Sequence, residues 1–377
     1  MTLLILGAAA FFLITFILHC TSIIIATARC RANRRYEIPP LDAPAVSLVR
    51  PVCGTENYCE ETLRSTFDLD YPRYEILFCA AHAHDPILPL IERLVAAHPQ
   101  VHARILVGDD RVSGNPKLNN VVKGWRAASA PWIVIADSNV LMPRDYIQRL
   151  LSTWRPGTGL VCSPPVGSRP GNLWAELECA FLNTHEARWQ YVADSIGLGF
   201  AQGKSMLWRR EILERAGGIE ALGRELAEDA VSTKLVRGMG LRVRLVDRPF
   251  EQPLGARTAA EVWNRQLRWA RLRRASFKAF FIPEILTGAL FPLAACAIAA
   301  GGSGFSPIPA VLIAGTAWYG AEALMARASG WHSSVRTPLV WMLRDLLLPA
   351  LWMQAWLGST FVWRGNHMHV ARPQPVG

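Results

Sequence analysis

Trp132-Ile133-Val134-Ile135-Ala136-Asp137-Ser138-Asn139 decides how this chain folds. Five apolar residues run unbroken into a carboxylate, and two polar residues follow. A short apolar run bounded by turn residues is the pattern of a strand buried on both faces. An aspartate at its carboxyl end stands where open α/β sheets collect their ligands. The same period repeats upstream. Strands are expected at Ala45 to Val52, Tyr74 to Ala81 and Ala103 to Gly108, with helices at Glu60 to Asp68, Ile87 to Ala97 and Lys117 to Ala128 between them. This alternation predicts an α/β fold with a mainly parallel sheet. Asp85 follows the second strand as Asp137 follows the fourth. Downstream the pattern loosens into a strand at Gly159 to Pro164, a long helix at Leu173 to Ala193, a strand at Ala201 to Trp208, a helix at Leu226 to Gly238 and a strand at Leu241 to Val246.

Outward from this core the chain becomes apolar. Leu3 to Ala26 is 24 residues without a charge, long enough as a helix to cross a hydrocarbon core of roughly 30 Å. Arg29, Arg31, Arg34 and Arg35 come after the run, not before it. That order predicts a retained anchor rather than a cleaved signal, with the next domain in the cytoplasm. Phe280 to Ala300, Ile308 to Ala326 and Leu339 to Val362 are further apolar stretches, the last interrupted by Arg344 and Asp345. Buried charge is costly in a bilayer, so that stretch is interfacial, re-entrant or packed within a bundle. The number of crossings and the side of the tail stay open. The expected organisation is an anchor at 1–27, a cytoplasmic domain at 45–275 ending in an interfacial helix, membrane segments at 276–363 and a tail at 364–377.

The net charge is +10, and only five of the 40 basic residues are lysine. The arginines cluster beside the apolar segments, where anionic headgroups attract them, so nucleic-acid binding is set aside. The eight cysteines include no C-x-x-C pair, which excludes the usual zinc spacings and fits reduced cytosolic thiols.

Three polar features could carry chemistry. Asp137, with Ser138 and Asn139, can hold a hard cation or simply cap a turn. Glu228-Asp229 can place one carboxylate in a site and brace it with the other, or merely favour a helix N-terminus. Arg265 and Arg268 share a helix face ahead of Trp269; paired guanidinium groups suit a diphosphate, and the same pattern suits a membrane interface. Transfer of a sugar from a nucleotide needs such parts: a carboxylate base, positive charge for the leaving diphosphate and a grip on the nucleotide.

The order Asp85, Asp137, Asp229, Arg265-x-x-Arg268-Trp269 resembles the D, D, D, (Q/R)xxRW signature of processive and lipid-directed family-2 glycosyltransferases. Arg50-Pro51-Val52-Cys53-Gly54, Asp70-Tyr71-Pro72, Asn115-Pro116-Lys117-Leu118-Asn119-Asn120, Ala136-Asp137-Ser138, Ala227-Glu228-Asp229 and Trp363-Arg364-Gly365 are closer still to ceramide glucosyltransferases and their bacterial relatives. The Asn-Pro-Lys-x-Asn-Asn segment is the most discriminating of these.

The resemblance implies a GT-A-type nucleotide-sugar-binding domain flanked by transmembrane helices, in a bacterial inner membrane. It implies inverting transfer of a hexose, taken as glucose, from a UDP-sugar to the primary hydroxyl of ceramide, within glycolipid and sphingolipid metabolism. Asp229 would be the general base. Asp85, Asp137, Lys117, Arg265, Arg268 and Trp269 would bind the donor, and Asp137 would also sit at a Mg2+ or Mn2+ ion. His185, Glu228 and Asn139 are further candidates. Asn139 stands where many relatives carry a second aspartate, which weakens the cation site. Another lipid acceptor (a hopanoid, diacylglycerol or polyprenyl phosphate) and a catalytically silent lipid-binding protein remain as alternatives.

Overall fold

A computed structural model describes residues 2–32, 37, 39–363 and 366–369. Arg34, Arg35, Arg364, Gly365, the side chain of Trp363 and the tail at 370–377 lie outside the described residues. The chain divides into two compact units. A sheet unit comprises residues 32–166 and 193–255, and a helical unit comprises residues 2–31, Gly167–Val192 and Ala256–His369. The helices that bear on function are α1 (Thr2–Arg31), α2 (Pro116–Ala127), α3 (Glu228–Gly238), α4 (Ala259–Ser276), α5 (Pro307–Ser329) and α6 (Thr337–Trp356).

The main sheet of the sheet unit has seven strands: β1 (Val46–Val52), β2 (Tyr74–Ala80), β3 (His102–Val107), β4 (Trp132–Ala136), β5 (Thr158–Cys162), β6 (Ser205–Arg209) and β7 (Arg242–Leu245). Their order is β3-β2-β1-β4-β6-β5-β7. β1 runs parallel to both β2 and β4, β2 to β3, and β5 to β7, while β6 is antiparallel to β4 and β5. The sheet is therefore mainly parallel, and strand order reverses between β1 and β4, the position at which such sheets bind ligands. All seven residues of β1 are buried, the polar Ser47 and Arg50 among them. One core cluster joins Leu48, Val134, Val161 and Leu207 to Tyr146, Ile147 and Leu150. Another joins Ile76 and Phe78 to Leu63, Phe67, Ile91 and Leu94.

The expected strands and helices of the first half all form, with ends shifted by a few residues. The single long helix expected over Leu173 to Ala193 is helical throughout, but Ala180–Ala187 winds as a π-helix. A helix at Tyr146–Thr153 has no counterpart among the expected elements.

In the helical unit, α1 and α5 are long and apolar enough to cross a membrane. Lys278–Leu286 and Leu290–Gly302, bent by 47°, make a third candidate if they form one span. The last apolar stretch is α6, which ends at Trp356 rather than Val362 and is followed by a short hairpin. Arg344 and Asp345 do not break it, because both are buried in a network that satisfies them. Arg344 grips Glu322 through two bonds of 3.0 and 3.1 Å and reaches Asp345 at 2.8 Å and Thr184 at 2.6 Å. Arg188 lies 3.5 Å from Glu322 and donates to His19 Nδ1 at 2.9 Å. A guanidinium has only donors, so His19 accepts at Nδ1 and donates its other N–H to the Trp318 carbonyl at 3.1 Å. Two arginines and two carboxylates cancel, which is how ionised groups persist in a low-dielectric bundle.

Candidate active site

The site in the sheet unit is built on a lysine. Asn115 caps α2, its side-chain oxygen accepting from the N–H groups of Lys117 and Leu118 at 2.9 and 3.2 Å. Pro116 occupies the first turn, where a missing N–H costs nothing. This start fixes Lys117, whose ammonium contacts Asp137 Oδ1 at 2.7 Å, Glu228 Oε1 at 2.8 Å and the Gly203 carbonyl at 2.6 Å. The other Asp137 oxygen lies 2.9 Å from Lys204, which also donates to Asn139 Oδ1 at 3.2 Å. Burial pushes the Asp137 carboxyl up, but Lys117 and Lys204 pull harder and hold it well below the usual carboxylate range. Burial likewise opposes charge on Lys117, and Asp137 and Glu228 more than offset it, raising its pKa.

Asp229 sits in the first turn of α3, half-buried, beside this hub. It accepts from Gly203 N–H at 3.2 Å and Ala230 N–H at 2.8 Å. Burial and the neighbouring Glu228 carboxylate raise its pKa to about 6, against the opposing pull of Lys117 and those N–H groups. Glu228 is itself held by Asn115 Nδ2 at 2.7 Å, so the starts of α2 and α3 are tied together. Gly203 lies among these groups so closely that a Cβ there would stand 3.0 Å from both Glu228 Oε1 and Lys117 Nζ.

The remaining residues of the Asn-Pro-Lys-x-Asn-Asn segment brace the site. Leu118 is core. Asn119 accepts from Val112 and Ser113 N–H at 3.1 and 3.0 Å, closing the preceding loop. Asn120 donates to the carbonyls of Val52 and Cys79 at 3.2 and 2.6 Å, joining the ends of β1 and β2. Arg50, wholly buried on β1, donates to the carbonyls of Asp137, Ser138 and Val140 at 2.9, 3.0 and 3.2 Å. It thereby sets the turn that presents Asp137.

The structure thus brings Lys117, Asp137, Asn139, Glu228 and Asp229 together. Asp85 lies in the same unit, in the turn after β2, where Oδ1 accepts from Gly54 and Ile87 N–H at 2.9 and 3.1 Å. Arg265, Arg268, Trp269 and His185 belong to the helical unit. Arg265, on α4, pairs with Glu178, which also lies 3.6 Å from Arg257. Arg268 and Trp269 are partly exposed on the same helix. His185 Nε2 meets the Thr287 hydroxyl at 2.8 Å. Sequence reasoning missed Lys204 and the bracing roles of Arg50 and Asn115. Lysine is scarce in this chain, and two of the five reach one aspartate, a signal that composition alone could have raised.

Among the described residues no group of three or more His, Cys, Asp or Glu side chains forms a metal cage. Asp137 Oδ2 and Asn139 Oδ1 nevertheless already hold a cationic group, the Lys204 ammonium. Two hard oxygens of this kind fit a Mg2+-like ion that takes its other ligands from water and substrate phosphates.

Residues 14–375 match the family described as glycosyl transferase family 21. Ceramide glucosyltransferase 3 of Caenorhabditis elegans is 26% identical over 339 residues, which cover 87% of this chain and 73% of its own. Ceramide glucosyltransferase 1 of the same organism is 27% identical over 379 residues, covering 97% and 79%. Among solved structures, a mannosyltransferase from Pyrobaculum calidifontis in complex with GDP-Man and Mn2+ superposes with a TM-score of 0.51 at 17% identity, covering 93% of this chain and 98% of its own. That likeness speaks for the fold, an α/β glycosyltransferase of the GT-A type. The kinship with ceramide glucosyltransferases stands, and the family that carries it is family 21.

Proposed function

The chain belongs to glycosyl transferase family 21, and from that premise we propose that it moves a hexose from a UDP-sugar to the primary hydroxyl of ceramide. Glucose is the sugar by kinship with the ceramide enzymes. The observation that carries the proposal is the Lys117 hub, in which one ammonium holds Asp137 and Glu228 beside Asp229. An Asp229 pKa near 6 leaves the carboxylate ionised at neutral pH yet basic enough to take a proton.

In this mechanism Asp229 removes the hydroxyl proton as the acceptor oxygen attacks the anomeric carbon. The bond from that carbon to the UDP oxygen breaks, and UDP leaves with the electron pair. Attack from the face opposite UDP turns an α-linked donor into a β-glycoside. Asp85 binds the uridine part. Lys117, Lys204, Arg265 and Arg268 stabilise the leaving diphosphate, Arg265 exchanging Glu178 for phosphate oxygens. Trp269 borders the acceptor end, and His185 is a further candidate site residue. Asp137 and Asn139 would hold a divalent cation, which would supply further positive charge to the diphosphate. The catalytic unit faces the cytoplasm and the acceptor comes from the bilayer.

Expression in a host without glycolipids, followed by mass spectrometry and sugar analysis of new lipids, tests this. A hexosylceramide made by the wild type and absent with Asp229→Asn is expected. UDP release stimulated by a hopanoid, diacylglycerol or polyprenyl phosphate but not by ceramide would reassign the acceptor. No turnover with any lipid would leave a silent lipid-binding protein.

A further inference from the structure

Asp137 is held by two lysines that are not equivalent. Lys117 is saturated: Asp137 Oδ1, Glu228 Oε1 and the Gly203 carbonyl each accept one of its N–H groups, at 2.7, 2.8 and 2.6 Å. Releasing it would strip two carboxylates of their shared cation. Lys204 meets Asp137 Oδ2 at 2.9 Å and Asn139 Oδ1 at 3.2 Å, the same two oxygens that suit a divalent ion. Asn139 donates through Nδ2 to Glu56 at 3.5 Å, which turns its oxygen toward Lys204. The Lys204 backbone is fixed beside these oxygens, because its carbonyl accepts from Asp137 N–H at 3.1 Å and Ser205 stands opposite Ala136 on β4. Only its flexible stem can carry the ammonium away, and the stem keeps it within reach.

The carboxylates of Asp137, Glu228 and Asp229 stand against the ammonium groups of Lys117 and Lys204, so the cluster is near charge balance with Lys204 in place. A divalent ion added to the same oxygens would meet Lys204 at contact distance, where like charges repel. A nucleotide diphosphate supplies roughly two further negative charges, enough to take up the ion and the displaced ammonium together.

We propose that Lys204 and a divalent ion take the Asp137–Asn139 oxygen pair in turn, and that the donor diphosphate drives the exchange by accepting the ammonium. Lys204 thereby makes ion binding conditional on the donor. The ion alone has to dislodge a tethered competitor, which lowers its apparent affinity by the fraction of time the oxygens are uncovered. Lys117 keeps its place throughout. The exchange rests on the proposed use of a UDP-sugar and a cation at Asp137, while the oxygen pair and its lysine stand on geometry.

The test uses the full chain in nanodiscs of phosphatidylcholine, a lipid without net charge. Equilibrium dialysis against Mn2+, with and without saturating UDP, gives two dissociation constants, and their ratio is the coupling between ion and UDP. Wild type should hold Mn2+ weakly alone and far more tightly with UDP. Lys204→Met keeps the stem and removes the ammonium. It should bind Mn2+ alone about tenfold more tightly, with the affinity in the presence of UDP little changed, so that the coupling falls about tenfold. A fixed charge acting through space would shift both constants alike, so an unchanged ratio overturns the proposal. Failure of wild type to bind Mn2+ even with UDP overturns it as well. Lys204→Gln, a shorter replacement, should behave the same way, and calorimetry with UDP reports a folded site in both variants. If the wild type glycosylates ceramide but the ratio is unchanged in the variants, only the exchange fails. If the ratio falls as expected but no lipid receives a sugar, only the functional reading fails.

Discussion

At the scale of single residues the site is an arrangement of charges around Lys117. Asp229→Asn keeps the shape and removes the base, so turnover should drop by roughly 10²–10⁴-fold while UDP binding, measured by calorimetry, stays near wild type. The pH dependence follows from the same carboxylate. Burial and Glu228 raise its pKa to about 6, so the active, ionised form is lost as pH falls through that value. The rate in wild type should decline about tenfold per pH unit below pH 6 and flatten above it. A profile still flat at pH 5 would remove Asp229 from the role of base. The cation assignment has its own test. Chelation by EDTA should lower turnover and added Mg2+ or Mn2+ should restore it. Asn139→Asp adds a second carboxylate to the pair that now holds Lys204. It should lower the metal concentration for half-maximal rate several-fold, read from activity against free metal; an unchanged titration would show that residue 139 is not a ligand.

At the scale of elements the tie between α2 and α3 matters most. Asn115 caps one helix and, through Glu228, holds the first turn of the other. Asn115→Ala loses the cap, about 1 kcal/mol, and leaves the buried Glu228 oxygen short of a donor, about 1–3 kcal/mol more. Thermal denaturation should show a loss of this size, together with weaker donor binding because Lys117 starts the same helix. Much of this level was legible in the sequence. β1 to β4 and their helices announce themselves because each strand is a short, mostly apolar run between helical stretches, and the acids at their ends follow from where parallel sheets place ligands. Three things were not legible. The π-helical turn at Ala180–Ala187 leaves the apolar pattern of a helix intact. The helix at Tyr146–Thr153 has only eight residues, too few for a clear period. Lys204 reaches Asp137 because β6 pairs antiparallel with β4, with Ser205 opposite Ala136, and such a long-range register is written in no local motif.

At the scale of the whole molecule the question is how a charged chain occupies a membrane. The Arg344 network answers it for the bundle: Arg188, Glu322, Arg344 and Asp345 bring their charges to balance inside otherwise apolar helices. Arg344→Met leaves an uncompensated carboxylate and should cost about 3–5 kcal/mol, seen as faster thermal inactivation in detergent. Adding Glu322→Gln should return part of that loss. Orientation is the remaining property of the molecule as a whole. Arg29 and Arg31 end α1, and a positive flank on a spanning helix favours the cytoplasmic side; the proposed cytoplasmic orientation therefore predicts that the sheet unit is shielded from reagents outside the cell. Cys53, exposed and just beyond β1, reports on this directly. The partly exposed Cys20, Cys59 and Cys296 are first replaced by alanine. A membrane-impermeant maleimide should then leave Cys53 unlabelled in intact spheroplasts and modify it after permeabilisation. Equal labelling before and after would put the sheet unit outside the cell, away from the proposed donor, and would overturn the cytoplasmic assignment.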